Sequence, residues 1–582
     1  MKKVSALLSV LIVAGLLLSA CATPTPEVIE KVVTQVVKQV VTEVVKETVK
    51  ETVIVEGTPQ VVEKEITKVV EVEKVVTATP EPERVPAVGG KMVWAAFGDP
   101  DTLDPQAGTG GLTLAELIGG TMLAIDPETS EFVPYLAKSV EILEDGLLWE
   151  IVLRDDIKFH DGTPLMADDY AWTLQRIRTI PSPATGPMTT GMLTAEAVDD
   201  YTVHITFFAP NYAMLYGMTT AFLQPLPRHY IERVGNEEFG RNPIGAGPYK
   251  FVEWQTGEKI VLERNPDFDW GPAYSRGGPP LIETIEYRFI PEYATRFAGL
   301  EAGEVDITGL EHKDVARIQN YDQFQVLAYR GQGIGPYILM NISRPPFDDL
   351  LVRKAFNYAV DRETLIQVIL LGYGDPLYGP VTPSTLGYWP GAEYIGYEYD
   401  PEQARALLAE AGYTTGSDGI LEKDGQALKL GMTVPPSYSR DAAVLQEQFK
   451  KIGVELELKQ LEPAAWAADI QAADYDTSLS GWGWAEASIL YALFSSSTRG
   501  FMNESHVNDP LLDSLLVDFM TATNREEWQK GLDEAQKYLV EQAYVVPLYN
   551  AISHYAITNR IKGIAITEGG DLDLFNAYIE TE

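Results

Sequence analysis

The sequence predicts an α/β protein with more than one lobe. Its 582 residues exceed what a single hydrophobic core usually holds. From Lys91 onward, strand patterns and helix patterns alternate along the chain. Acids outnumber bases 84 to 45, for a formal net charge of −39. Such a surface repels phosphate backbones, so nucleic acid is not expected as a partner.

The N-terminus has the pattern of an export signal that ends at a cysteine. Lys2 and Lys3 precede an apolar run, and Leu18-Ser19-Ala20 places small residues directly before Cys21, the single cysteine. The run is short for a membrane span, and a Pro/Thr-rich polar segment follows it. The pattern resembles the lipobox of bacterial lipoproteins. This resemblance implies cleavage of residues 1–21 at Cys21, lipid attachment to that cysteine, and an extracytoplasmic, membrane-anchored protein.

Residues 22–90 form a Val/Lys/Glu-rich tract that we interpret as a stalk or linker. Apolar pairs such as Val28-Ile29 and Val32-Val33 recur every fourth residue, which keeps no single apolar face on an α-helix. Valine favours extended chain, whereas the Lys/Glu spacing favours helix. The pattern leaves both open, including a helix that associates with other copies.

Strands are predicted where apolar and polar residues alternate. Trp149, Ile151 and Leu153 share one face of the first clear strand. The second runs from Tyr201 to Phe207 and places His204 on the polar face, where we expect a surface residue.

Helices are predicted where capping residues precede an apolar stripe. Asp400-Pro401 reads as N-cap and first helical residue, and Gly412 as the stop. Asp348 or Asp349 opens another helix, and Asp361 a third that ends near Gly372.

No catalytic, metal-binding or cofactor-binding motif is found. The six histidines lack the zinc-protease spacing, and neither a phosphate-binding loop nor a Gly-x-Ser-x-Gly elbow occurs. His160 is expected to be a structural turn residue rather than a metal ligand. We therefore predict a protein without a cofactor that is not an enzyme.

Several segments in order resemble the bacterial extracellular solute-binding proteins of family 5, the oligopeptide- and dipeptide-binding proteins of ABC importers. The segments are MVWAAFGDPDTLDP (92–105), LAKSVEILEDGLLWEIVLRDDIKFHDGTPLMADDYAWTLQRI (136–177), IGAGPYKFVEWQTGEKIVLERN (244–265), YRFIPEYATRFAGLEAGEVDI (287–307), MNISRPPFDDLLVRKAFNYAVDRETLI (340–366) and DPEQARALLAEAGY (400–413).

This resemblance implies a two-lobed periplasmic-binding-protein-like fold (type II, cluster C), with an extra subdomain in lobe I at about 136–243. Lobe I is expected over 91–330 with a return over 543–582, and lobe II over 331–542. The ligand is expected between the lobes, which close on it as a hinge and present it to the permease subunits of an ABC importer. A monomer is expected.

The resemblance also implies ligand-binding residues. In peptide-binding members an Asp three positions after a Gly-Trp strand end pairs with the peptide's α-ammonium; here that position is Ala485, counted from Trp482. The carboxylate of Glu486 comes one residue later, on the other face of an extended chain unless the backbone bulges.

The remaining candidates are aromatic or backbone groups. Trp482 and Trp484 are expected on one face, suited to stacking on sugar rings or apolar side chains, with core packing as the alternative. The other candidates, all expected near the cleft, are Thr109, Gly110, Gly111, Trp466, Tyr549 and Asn550.

Two ligand classes follow: oligopeptides, with Glu486 as ammonium partner, or cello- or xylo-type oligosaccharides, favoured by the tryptophan pair. More distant alternatives are an extracytoplasmic hydrolase on the same scaffold and a purely structural surface protein.

Overall fold

The structure is a computed structural model that describes residues 36–55, 58–77, 88–129, 131–180, 187–500, 502–567 and 569–580. Two compact units divide the chain, 1–85 and 86–582. The predicted leader and Cys21 lie outside the described residues.

The first unit contains two strands, β1 (Val36–Val55) and β2 (Thr58–Thr77), which pair antiparallel from Val36 opposite Thr77 to Val55 opposite Thr58. The described part of the tract, residues 36–55 and 58–77, therefore adopts the extended alternative, in line with its valine content. Its role as a stalk stays a prediction.

The second unit contains the remaining elements. Its strands are β3 (Lys91–Ala96), β4 (Leu123–Ile125), β5 (Phe132–Pro134), β6 (Ala137–Leu143), β7 (Leu148–Leu153), β8 (Met192–Ala197), β9 (Thr202–Phe207), β10 (Tyr249–Gln255), β11 (Lys259–Arg264), β12 (Thr284–Phe289), β13 (Ile307–Leu310), β14 (Phe324–Arg330), β15 (Ile334–Met340), β16 (Gly374–Pro376), β17 (Thr414–Thr415), β18 (Leu421–Lys423), β19 (Gln426–Ala427), β20 (Lys429–Val434), β21 (Glu455–Gln460), β22 (Thr477–Trp482), β23 (Val545–Pro547), β24 (Tyr549–Thr558), β25 (Ile561–Lys562), β26 (Ala565–Ile566), β27 (Leu572–Asp573) and β28 (Tyr578–Ile579).

Its helices are α1 (Leu112–Gly119), α2 (Ala167–Arg176), α3 (Met214–Gly217), α4 (Arg228–Val234), α5 (Asn236–Arg241), α6 (Tyr293–Glu301), α7 (His312–Ile318), α8 (Leu350–Tyr358), α9 (Arg362–Ile369), α10 (Ala392–Ile395), α11 (Pro401–Glu410), α12 (Ser439–Lys451), α13 (Pro463–Gln471), α14 (Ile489–Phe494), α15 (Pro510–Met520) and α16 (Arg525–Glu541).

Two large sheets define the two lobes. Lobe I is built on the order β10-β11-β12-β3-β13-β24-β14, with β16 added on β24. Lobe II is built on the order β21-β20-β22-β15-β23. Strand β3 pairs parallel with β12 and β13, and β20 pairs parallel with β21 and β22, so both sheets are mixed. The predicted two-lobed α/β fold is confirmed.

Apart from β16, which pairs with the start of β24, the chain passes between the two sheets at two places. It leaves the lobe I sheet after β14 at Arg330 and enters the lobe II sheet in β15 at Ile334. It returns between β23, which ends at Pro547, and β24, which begins at Tyr549. Two short adjacent crossings leave room for a hinge motion of one lobe against the other.

A third sheet, β6-β7-β9-β8, lies within the span 136–243 that was predicted as an extra subdomain of lobe I. The one-faced strands are as expected: Trp149, Ile151, Val203 and Ile205 are at most 1% exposed, whereas His204 faces outward and pairs with Glu150 at 2.9 Å. The division of the chain into the predicted domain ranges stays a proposal.

The helix caps also agree with the sequence. Asp349, Asp361 and Asp400 each accept a backbone N–H in the first turn of α8, α9 and α11. Gly412 takes φ +94° after α11, which suits glycine. Helix α9 ends at Ile369 instead of near Gly372, because Leu371 already has a positive φ of 54°.

Within the described residues, no helix is both long and apolar enough to cross a membrane.

Candidate functional site

A cavity of about 450 Å³ lies between the two lobes. Its volume is in the range of small-ligand sites. The walls come from distant parts of the chain, and the main contributors are Thr113, Glu116, Asp126, Phe132, Tyr135, Tyr216, Tyr274, Gln332, Pro383–Tyr388, Ala485, Arg525, Gln529, Asp571, Asp573 and Phe575.

The lobe I wall is acidic and aromatic. Glu116 comes from α1, and its Oε1 accepts the Ala221 backbone N–H at 3.1 Å. Asp571 and Asp573 flank Leu572 in the C-terminal return, and Asp573 Oδ1 accepts the Phe575 backbone N–H at 2.8 Å. Both aspartates and Phe575 line the cavity.

Burial dominates the electrostatics of this wall. Burial, together with the neighbouring charge of Asp571, raises the pKa of Glu116 to about 8. Burial also raises the pKa of Asp571 and of Asp573. Burial thus favours the protonated, neutral form of these acids, and a cationic partner would be needed to offset the cost of ionising them.

The lobe II wall is a loop that is hydrogen-bonded to the segment where the chain first passes between the lobes. Gln332 donates from Nε2 to the Ser384 carbonyl at 2.8 Å, and Thr385 Oγ1 accepts the Gly333 backbone N–H at 2.7 Å. The segment Pro383–Tyr388 is therefore tied to the chain where it passes between lobes.

The strand that carries the predicted tryptophan pair ends earlier than expected. Strand β22 stops at Trp482, so the alternation of strand faces does not extend to Trp484 or Glu486. Both tryptophans pack against buried apolar residues of lobe II, and Trp484 also touches those of the subdomain. Neither indole lines the cavity. The strand alternation that predicted a shared face therefore does not apply beyond Trp482, and the packing of both indoles agrees with the core-packing alternative. Ligand contact by either residue stays a prediction.

Glu486 is buried rather than displayed to a ligand. It is 1% exposed, and its carboxylate accepts both the backbone N–H (2.8 Å) and the hydroxyl of Ser488. Burial raises its pKa to about 7. Glu486 does not line the main cavity, whereas the preceding Ala485 does. Glu486 lines a small neighbouring pocket with Tyr216 and Arg525, and its role as ammonium partner stays a prediction.

The glycine loop of lobe I lies outside the cavity. Thr109 and Gly110 are exposed, and Gly111 packs so closely that a Cβ there would stand 2.7 Å from the Thr102 carbonyl oxygen. Helix α1 begins directly after this loop, and its residues Thr113 and Glu116 reach the cavity instead.

The other candidates are structural. Trp466 donates from Nε1 to Ser478 Oγ at 2.9 Å. Tyr549 is 4% exposed and donates its hydroxyl to Asp441 at 2.6 Å, and Asn550 is 2% exposed. Among the ten predicted ligand residues, all of which the structure describes, only Ala485 lines the cavity. Its contact with a ligand stays a prediction.

Sequence reasoning missed the acidic wall. A signal was present in Asp571-Leu572-Asp573-Leu574-Phe575, where alternation places two acids and one aromatic on one side and buried leucines between them. These two acids form a carboxylate wall only together with Glu116, which lies more than four hundred positions earlier in the sequence.

His160 has the structural role that was expected. Its Nε2 lies 3.1 Å from the Gly247 carbonyl, and its Nδ1 accepts the Gly245 backbone N–H. Burial lowers its pKa to about 4. In the part of the chain that the structure describes, no group of three or more His, Cys, Asp or Glu side chains is placed to hold a metal ion.

The chain is similar to known transport proteins. It is 28% identical over 504 residues to the oligopeptide-binding protein AppA of Bacillus subtilis, which covers 82% of this chain and 89% of the relative. It is 29% identical over 461 residues to heme-binding protein A of Haemophilus influenzae, covering 75% and 82%. A solved structure of the periplasmic binding protein DppA from Helicobacter pylori with the peptide STSA superposes with a TM-score of 0.70 at 25% identity, covering 85% of this chain and 99% of that one.

A family model for the bacterial extracellular solute-binding proteins, family 5 Middle, matches residues 131–501. This range takes in most of the predicted family segments, the subdomain sheet and most of lobe II. The two-lobed fold, the cavity between the lobes and this match agree: the chain belongs to the bacterial extracellular solute-binding proteins of family 5.

Proposed function

We propose that this protein captures short peptides between its two lobes and delivers them to the membrane permease of an ABC importer. The observation that carries the proposal is the cavity, which has walls from both lobes and includes Gln332 of the first chain crossing. A relative named for oligopeptides and a similar structure that holds a tetrapeptide support the ligand class.

The cavity surface suits a peptide. Aromatic rings of Phe132, Tyr216, Tyr274 and Phe575 offer contact to side chains of varied shape. Carboxylates on the same surface offer partners for an α-ammonium group. A volume of about 450 Å³ suits a ligand of a few residues.

Ligand capture follows from the hinge. A peptide that touches Glu116 of lobe I and the Pro383–Tyr388 loop of lobe II contributes contacts in both lobes only when they are closed. Its differential affinity for that arrangement shifts the population toward it. The permease then recognises the closed, loaded protein.

Lipid attachment at Cys21 and a spacer over residues 22–90 are part of the proposal. Small residues before Cys21 support cleavage there, and lipid would keep the protein at the outer face of the cytoplasmic membrane. Labelling of cells with an alkyne fatty acid tests this: wild type should be labelled and Cys21→Ser should not. Equal labelling of both proteins would contradict it.

The sugar alternative loses its basis because the tryptophan pair that suggested it does not line the cavity. A binding role also replaces the hydrolase alternative. Incubation of the protein with a stabilising peptide overnight should return the peptide intact; cleavage products would indicate an enzyme.

A thermal-shift screen tests the ligand class. It compares tetrapeptides, cello- and xylo-oligosaccharides, and heme at equal concentration. Peptides should raise the melting temperature in a concentration-dependent manner, as a ligand of the folded state must. Stabilisation by sugars or heme without any stabilisation by peptides would contradict the proposal.

A further inference from the structure

The cavity is lined by more acidic than basic side chains. Its lining residues include the carboxylates Glu116, Asp126, Asp571 and Asp573, but Arg525 is the one Lys or Arg among the lining residues that the structure describes. Arg525 already pairs with Glu131 at 3.3 Å. A zwitterionic peptide would bring no net positive charge to balance these acids when they ionise.

The four carboxylates differ in the hydrogen bonds that they accept and in the charges near them. Asp126 is part of a local turn, where its Oδ1 accepts the backbone N–H groups of Glu128 and Thr129 at 2.9 and 3.1 Å. Glu116 and Asp573 each accept one backbone N–H, and Asp571 is the carboxylate whose charge most affects Glu116. Within the described residues, none of these four forms a salt bridge with Lys, Arg or His.

A buried hydroxyl beside the acidic wall also lacks a partner. Tyr135 is 4% exposed and lines the cavity, yet its hydroxyl oxygen has no hydrogen-bond partner among the described residues. The charges of Asp573 and Glu116 act on this phenol, as does the charge of Arg154, which is paired with Asp156. An unpaired buried hydroxyl is costly, and a ligand N–H donor would satisfy it.

We propose that Glu116, Asp571 and Asp573, together with the hydroxyl of Tyr135, form a subsite for a cationic side chain, so that the protein selects peptides containing Lys or Arg. The inference rests on the proposed peptide-binding function. It adds to that function the kind of peptide side chain, a basic one, that the acidic wall of lobe I would bind.

The reason for a basic side chain, in addition to an α-ammonium, is charge balance. A peptide's ammonium and carboxylate cancel, whereas one Lys or Arg adds a net positive charge that Coulomb attraction favours in a walled cavity. A Lys ammonium has three donors and an Arg guanidinium has five, enough to meet two carboxylates and the phenol at once.

Calorimetric titration of the full chain with matched tetrapeptides tests the subsite. Starting from Ser-Thr-Ser-Ala, each position in turn is replaced by Lys, by Gln or by Glu. At one position or more, the Lys peptide should bind at least about tenfold more tightly than the Gln peptide, and the Glu peptide more weakly than either.

Isosteric variants assign that preference to the wall. Asp571→Asn should lower the ratio of Gln to Lys dissociation constants several-fold, and Glu116→Gln provides a second variant if the first does not fold. Asp267→Asn, a carboxylate on a side chain 78% exposed in the same lobe, serves as the matched control and should keep the ratio. A ratio below about 2 at every position in wild type, or a ratio retained in both variants, would overturn the inference.

Spermidine separates this inference from the peptide proposal. If no tetrapeptide binds but spermidine does, and Asp571→Asn weakens it, the cation subsite stands while the peptide function fails. If peptides bind without regard to charge, the peptide function stands and the cation subsite fails. If neither spermidine nor any peptide binds, both fail.

Discussion

Arg525, at the start of α16 in lobe II, forms an ion pair with Glu131 of lobe I, with 3.3 Å between Nη1 and Oε2. Both side chains are more than half exposed. The pair joins the two lobes next to the cavity, since Arg525 also lines it. An exposed pair of this kind adds little to global stability, but it favours the arrangement in which the lobes are together.

Removing this pair should affect ligand affinity more than folding. Glu131→Gln should weaken peptide binding up to about fivefold and change the free energy of unfolding by less than about 1 kcal/mol. Added salt should weaken binding less in the variant than in wild type. Glu128→Gln, an exposed carboxylate in the same turn, is the control. Unaltered affinity at low salt in Glu131→Gln would contradict a role in closure.

A buried ion pair explains the Leu-Asp-Pro turn. Asp104 and Arg176 are 1% and 4% exposed at their side chains, and both guanidinium Nη groups donate to the Asp104 carboxylate. Asp104→Ala leaves a buried positive charge without its partner and should destabilise the fold by about 3–5 kcal/mol in urea unfolding. Asp156→Ala, at a partly exposed pair with Arg154, should cost less than about 1 kcal/mol. Equal losses in the two variants would be inconsistent with this account.

Glu486 should make stability fall as pH rises. Burial raises its pKa from 4.5 to about 7 in the folded protein, so the fold favours the protonated acid. Its contribution is fully present below pH 4.5 and is lost as pH rises to about 7, because the unfolded chain releases the proton first; the total is about 3 kcal/mol.

Urea unfolding between pH 4.5 and 8 measures this contribution as the difference between wild type and Glu486→Gln. The variant should gain stability relative to wild type as pH rises. The exposed Glu258→Gln serves as the control and should show no such trend. A difference that is constant with pH would show that Glu486 is ionised at the same pH in both states.

Glu116 should make the affinity for basic peptides rise with pH. Its pKa is raised to about 8, and Asp571, Tyr135 and Tyr216 are the titratable groups that interact with it. A cationic ligand favours the ionised carboxylate, so binding releases a proton. Between pH 5.5 and 7.5 affinity should increase by up to about tenfold per pH unit, within the range where the peptide's own amine stays charged.

In Glu116→Gln the affinity for basic peptides should rise less steeply with pH, and the pH dependence that remains should come from Asp571. Calorimetry at four pH values with a Lys-containing tetrapeptide provides the measurement. If the affinity of the wild type stays constant or falls between pH 5.5 and 7.5, binding does not release a proton from Glu116 or Asp571.

Local structure could be predicted from the sequence because its causes are local. The N-cap residues Asp349, Asp361 and Asp400 act within three residues of their own position. The alternation around Ile151 and Ile205 reports the buried face of each strand directly. The two-lobed fold followed from the ordered family segments.

The site could not be predicted, because it depends on contacts between distant segments. Glu116, the Pro383–Tyr388 loop and Asp571 meet only after the chain has crossed twice between lobes. The sequence pattern predicts a strand that continues past Trp482. Because β22 ends at Trp482, strand alternation does not determine where Trp484 and Glu486 point. Burial of Glu486 depends on surrounding lobe II residues that no local pattern reports.

The most direct test of the central claim is mass spectrometry of the ligand that is released on denaturation of the natively purified protein. The account predicts short peptides, with Lys or Arg more frequent than in the peptide pool of the same cells. Recovery of an oligosaccharide or a porphyrin, with no peptide, would contradict it.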